Sequence, residues 1–197
     1  MIVLVCGASG TGKSRLSYPL AARLGVPLVE VDDIVEALKA VTTPEQLPAL
    51  HYWDAHPEAV HLPPEEIVEL QIAVARALVP AVEAVVGNHL STSTPVVIEG
   101  DYLLPVVRRG VRSIVLHEAD EEQLVANYRA REPEEGEQRG RARVSLLYGD
   151  WLAERGRLAG APVVPARPWS DVLDRVAEEL RRSSPPPAPE HRPPSRS

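Results

Sequence analysis

The stretch Ile2-Val3-Leu4-Val5-Cys6-Gly7-Ala8-Ser9-Gly10-Thr11-Gly12-Lys13-Ser14 decides how the rest of the chain is read. Its five leading apolar residues suit a strand buried on both faces, as in the middle of a parallel sheet. Gly7 to Ser14 then matches G-x-x-x-x-G-K-[ST] in full. The context is the required one, with a strand before the motif and a helical pattern after it. Gly7, Gly10 and Gly12 allow a tight turn in which successive backbone N–H groups, Thr11 among them, face phosphate oxygens. The helix N-terminus adds a dipole favourable to negative charge. Lys13 is expected to reach the β- and γ-phosphates and the Ser14 hydroxyl to bind Mg²⁺.

Working outward, short apolar runs alternate with helical patterns, which predicts βα units around a parallel sheet. Strands are expected at 2–6, 28–31, 95–99, 111–116 and 162–165. Helices are expected at 13–24, from 34 through Lys39, at 65–89, 121–131 and 144–158, and at 169–182. Pro19 falls inside the first helix and Pro80 inside the long one, each a predicted source of strain or bending. Residues 41 to 64 lie between prolines and read as irregular or briefly helical, and residues 132–143 read as a mobile flap. The fold class is therefore α/β, a three-layer P-loop NTPase fold with five parallel strands flanked by helices. One domain is expected over 1–182, with a lid at about 132–158 and an acceptor-side insertion at about 41–90. A disordered Pro-rich tail is expected over 183–197.

Composition sets limits on function. The 197 residues carry a formal net charge of −7, which argues against a protein that grips a phosphate backbone. Cys6 is the only cysteine, so an internal disulfide and a multi-cysteine zinc site are excluded, and its apolar setting marks it as an inert core residue. No stretch reads as a membrane span or a leader, and a cytoplasmic protein is expected.

Ligands of open α/β sheets bind beyond the carboxyl ends of the strands. That rule selects Asp32 and Asp33 after the second strand, and Glu99 and Asp101 after the third. Asp32 and Glu99 are candidates for holding Mg²⁺ or for accepting a proton from an attacking hydroxyl. The competing reading makes such residues helix caps and turns. Arg129 and Arg131, and beyond them Arg139, Arg141 and Arg143, are candidates to close on a triphosphate. The competing reading is a solvated face that answers Glu132, Glu134, Glu135 and Glu137. His51, His56 and His61 lack a metal-binding pattern, whereas Tyr52, Trp53 and His56 are candidates for an acceptor pocket. Trp151 and Trp169 read as packing residues.

On these residues the chain resembles the small-molecule kinases of the nucleoside-monophosphate-kinase-like group, and within it the 2-phosphoglycerate kinases. The resemblance spans about residues 1 to 180. It rests on the loop from Gly7 to Ser14, on Val31-Asp32 continuing into Ile34 and Glu36, and on Gln71. It also includes Glu99-Gly100-Asp101-Tyr102-Leu103-Leu104-Pro105 and the pair Arg129 and Arg131. Asp101-Tyr102 departs from the family's usual apolar residue and histidine. The resemblance implies ATP with Mg²⁺ and transfer of the γ-phosphate to a small acceptor. In that reading Asp32 activates the acceptor, Glu99 serves as metal partner or alternative base, and Arg129 and Arg131 stabilise the transition state. Three alternatives stay open: an antibiotic-modifying kinase resembling chloramphenicol phosphotransferase, an NTP-binding regulatory module, and polynucleotide end-phosphorylation, which the acidic balance disfavours.

Overall fold

Alternation along the first strand builds the layers. In β1 (Ile2–Cys6), Ile2, Leu4 and Cys6 point to one face of the sheet, and Val3 and Val5 to the other. The computed structural model describes residues 1–182, so the tail expected at 183–197 lies outside the described residues. β2 (Leu28–Glu30), β3 (Val96–Gly100), β4 (Val111–His117) and β5 (Val163–Pro165) join β1 in an all-parallel sheet of order β2-β3-β1-β4-β5. The register sets Val5 opposite Glu99 on one side and Ile114 on the other.

On one face lie α1 (Lys13–Leu24) and α7 (Val172–Arg182), whose Leu16, Leu20, Val176 and Leu180 enclose Val3 and Val5. On the other lie α4 (Pro64–Ser91) and α6 (Arg139–Leu158), whose Ile72, Leu78, Tyr148 and Leu152 enclose Ile2, Leu4 and Cys6. α2 (Val31–Val41) and α3 (Pro48–Ala55) extend that layer, and α5 (Glu121–Arg131) packs on α6 through Leu124 and Tyr128. Pro19 and Pro80 both lie on exposed helix surface. The carbonyls that lose their intrahelical partner there, those of Arg15 and Arg76, also belong to exposed residues, where water can replace it.

Four expectations are corrected. β2 ends at Glu30 rather than at 31, because buried Val31 already begins α2. Val31 packs on Gly100, where an added Cβ would sit 2.5 Å from the valine's own. Asp32 and Asp33 thus occupy the first helical turn, where the dipole favours carboxylates. α4 places Ile72, Leu78, Val82 and Val86 in the core, so that part of the expected insertion belongs to the packed layer; the remainder holds α3 and a 3₁₀ turn at Pro57–His61. Nor is the stretch from 144 to 158 a lid, since Val144, Tyr148 and Leu152 are core residues, and α6 begins already at Arg139. Finally, α4 has the length and composition of a membrane span, with a mean hydropathy of 1.6 over its most apolar 18 residues. Its apolar side is packed against the sheet.

Candidate active site

The loop between β1 and α1 turns on Gly12, whose φ of 93° lies in the left-handed region and which caps α1. A side chain there would also meet the Trp169 ring at 2.6 Å. Inside the turn, the Ala8 carbonyl accepts from Thr11 Oγ1 at 2.9 Å and from Lys13 Nζ at 2.9 Å. Lys13, only 6 % exposed, donates a second hydrogen to Asp101 Oδ1. An ammonium has three N–H groups, so one is left for a further oxygen. Ser14 Oγ donates to Glu99 Oε1 at 2.7 Å, linking the end of the loop to the end of β3.

These groups line one cavity of about 600 Å³ at the carboxyl ends of β1 and β3. Asp32 reaches it from the first turn of α2, and Arg131 and Arg141 from the opposite rim. Burial pushes the Asp32 carboxyl above its ordinary range, repulsion from Asp101 adds to this, and Lys13 opposes it. Glu99 is also raised, first by burial, against the pull of the Ser14 hydrogen bond and the Lys13 charge. Beneath them burial pushes the Cys6 thiol up as well, which leaves it a protonated core residue.

The far wall was not legible as a site from sequence. Asn127 Nδ2 donates to the Gly10 carbonyl at 2.8 Å, while Asn127 Oδ1 accepts from Gln123 Nε2 at 2.9 Å and Arg167 Nη2 at 3.1 Å. Arg167 Nε also meets buried Glu118 Oε2 at 3.2 Å. Trp169, read as packing, instead lines the cavity, with the Arg15 guanidinium 4.8 Å and that of Arg167 5.9 Å from its ring. Its position just past β5 was the available signal, under the same carboxyl-end rule that selected Asp32.

The arginine candidates separate. Arg131 and Arg141 lie over the ring of buried Tyr128, at 5.2 Å and 4.5 Å, and both bond to Glu132. Arg129 is exposed and outside the cavity lining. Arg139 is also outside it, because Glu122 and Glu137 hold its guanidinium at 2.6 Å and 2.8 Å. Arg143 meets Glu121 at 3.3 Å.

A second cavity, about 550 Å³, lies beyond Arg141, which lines both. Trp53 lines it, whereas Tyr52 and His56 pack ring against ring at 4.6 Å, tilted by 34°, and do not. The three insertion histidines are dispersed: His51 meets Thr42, His56 meets Glu58, and His61 lines this second cavity. Among the described residues no three His, Cys, Asp or Glu side chains group as a metal cluster.

No model of a known protein family matches the chain. It is similar to the 2-phosphoglycerate kinase of Methanothermobacter thermautotrophicus, at 30 % identity over 134 residues, 61 % of this chain and 44 % of that one. It is also similar to the 2-phosphoglycerate kinase of Methanocaldococcus jannaschii, at 26 % identity over 200 residues, 92 % of this chain and 64 % of that one. The chain thus spans about half to just under two thirds of the length of these relatives. Among solved structures, a gluconokinase from Sinorhizobium meliloti superposes with a TM-score of 0.53 at 19 % identity, covering 92 % of this chain and 91 % of that one. The protein TT1252 from Thermus thermophilus superposes at 0.54 with 18 % identity, covering 94 % and 98 %. The architecture is the P-loop kinase fold.

Proposed function

We propose that the chain is an ATP-dependent kinase that transfers the γ-phosphate to a hydroxyl of a small molecule. One observation carries this reading: Lys13, the Ser14–Glu99 pair and Asp32 converge on a single cavity at the start of α1. Similarity to two 2-phosphoglycerate kinases supports it.

In this reading the loop amides and the remaining Lys13 N–H hold the triphosphate oxygens. Ser14 and Glu99 offer hard oxygen donors of the kind Mg²⁺ accepts alongside water and phosphate, and Asp32 lines the same space. Magnesium, when bound, supplies charge neutralisation on the phosphate oxygens. The acceptor's hydroxyl oxygen bonds to the γ-phosphorus while the bond to the bridging oxygen breaks. ADP leaves with that electron pair, and the hydroxyl proton passes to Asp32. A carboxylate whose affinity for protons is raised is the better acceptor near neutral pH. Arg131 and Arg141 add positive charge at the rim, and Trp169 with Arg15 and Arg167 offers a flat surface to the nucleotide base. An ATP-consuming reaction also fits the cytoplasmic setting expected from sequence.

Acceptor-dependent ADP formation by the purified chain tests the reading. Asp32→Asn should lower kcat about 10²–10⁴-fold, the usual worth of a positioned base, with ATP affinity unchanged. Undiminished turnover in a folded Asp32→Asn variant would remove Asp32 from the mechanism.

A further inference from the structure

The second cavity borders the phosphate-loop cavity at two places. Arg141 lines both, and Tyr102 of the second follows directly on Asp101 of the first. Its size suits a small molecule. Its walls are chiefly Trp53, Ile67, Tyr102 and Val144, with Leu62, and the imidazole of His61 also lines it. Gln71 Oε1 is buried against this space with no hydrogen-bond partner. Arg141 is the one arginine or lysine of the lining, and it is already bonded to Glu132 Oε2 at 2.6 Å and Gln138 Oε1 at 2.9 Å.

We propose that this second cavity is the acceptor site, and that it takes a largely apolar hydroxyl compound with at most one anionic group. The proposal rests on the kinase reading above and gives it a substrate class. A phosphorylated acid would bring a phosphate and a carboxylate into a space with one guanidinium, itself shared with Glu132. Charge set against apolar walls without a partner is disfavoured, more so the deeper it sits. An apolar ring or chain instead buries its surface against Trp53, Ile67 and Val144. Gln71 lines the wall and its Oε1 has no hydrogen-bond partner, so turning its amide toward a ligand O–H or N–H would relieve a buried unpaired carbonyl. The Tyr102 hydroxyl is pushed up to about 12 by burial, then by Asp101 and Asp32, so at neutral pH it is an uncharged donor as well. Seated there, the compound's hydroxyl would point across the boundary marked by Arg141 and Tyr102 into the first cavity, which Asp32 lines.

The test uses the full chain, first saturated with a non-hydrolysable ATP analogue and Mg²⁺ and checked by calorimetry. Anilinonaphthalene sulfonate, an apolar monoanion, is then titrated in by fluorescence, with 2-phosphoglycerate as competitor. The expected result is a saturable one-site signal that excess 2-phosphoglycerate does not displace. Ile67→Asp, with its melting transition intact, should weaken the probe about tenfold or more by placing a carboxylate against it. If that variant does not fold, Trp53→Ala replaces it, with the same expectation. A missing signal, a signal indifferent to these variants, displacement by 2-phosphoglycerate, or ADP formation driven by 2-phosphoglycerate would each overturn the acceptor class. Those outcomes leave the kinase reading standing. No uptake of the ATP analogue, seen before the probe is added, would sink that reading and this proposal with it.

Discussion

The two cavities share Arg141 and are built from opposite materials. The first is centred on one loop and the ends of β1 and β3, with further walls from α2, α5, α6 and the segment after β5, and it is lined mainly by glycines, carboxylates and cations. The second is made by side chains of α3, the 3₁₀ turn, α4, α6 and the segment after β3, with Arg141, His61 and Gln71 among mainly apolar walls. Phosphate is held by backbone amides and fixed charge, a geometry that a short contiguous motif encodes. An acceptor is held by shape, and shape comes from packing between distant segments. On the proposed reading the first cavity sets the class of chemistry, and the second the molecule on which it is done.

The comparison is broken most directly at Lys13. Lys13→Ala removes the buried ammonium that bridges the Ala8 carbonyl and Asp101. It should cost about 3–4 kcal/mol of transition-state stabilisation, seen as a collapse in kcat for ADP release. The acceptor KM should move much less, because the second cavity is left intact. An equal loss in both parameters would mean that the cavities do not act separately.

Next in size is Gly12→Ala. The new Cβ meets a φ of 93° and the Trp169 ring at 2.6 Å, so about 1–3 kcal/mol of stability should be lost by denaturant titration. Adding Trp169→Ala to that variant removes the clash and leaves the backbone strain. The double variant should recover part of the gap between Gly12→Ala and Trp169→Ala, and full recovery would show that the left-handed turn costs nothing.

How much was legible follows the same division. β1, α1 and α5 fall where the pattern places them, because strand, loop and helix periodicity are local properties of 2–24 and 121–131. The contiguous motif marks Lys13 and Ser14, but their partners Asp101 and Glu99 come from the far end of β3, and no local pattern pairs them. The segment from 41 to 63 was opaque because its turns are set by prolines and by packing on α4 rather than by periodicity. The arginines show a different failure. Sequence places Arg131, Arg139 and Arg141 together, but whether each reaches the cavity depends on which glutamate holds it. Glu132 pairs with Arg131 and Arg141, which line the cavity, and Glu122 holds Arg139, which does not. No local pattern distinguishes those pairings.

Glu99→Gln sharpens the comparison through pH. The folded carboxyl binds its proton more tightly than the ordinary group at 4.5, chiefly because it is buried. The folded state is thus favoured below that range and loses the advantage as pH rises through the elevated value. At neutral pH, without metal, ionised Glu99 is a net cost, and Glu99→Gln should raise the melting temperature. The gain should vanish as the pH falls into the ordinary carboxylate range, and Mg²⁺ with nucleotide should reverse it by rewarding the native charge. A gain that persists unchanged at acid pH would assign the effect to packing instead of ionisation.

The smallest effect is expected at Arg139, and it tests where the cavity ends. Its guanidinium is half exposed and bonded to Glu122 and Glu137, both themselves exposed. Pairs of that kind contribute about 0–1 kcal/mol, because water screens the charges and two long side chains must be held in place. Arg139→Ala should therefore shift stability by about 0.5 kcal/mol or less and leave kcat and both KM values at the parent level. Arg141→Ala, two residues on, stands in the rim between the cavities and should not be silent. If Arg139→Ala instead lowers kcat as strongly as Arg141→Ala, the segment from 132 to 141 must rearrange during turnover to bring Arg139 off Glu122 and onto the triphosphate. The boundary drawn here between cavity and solvated surface would then hold for one conformation only.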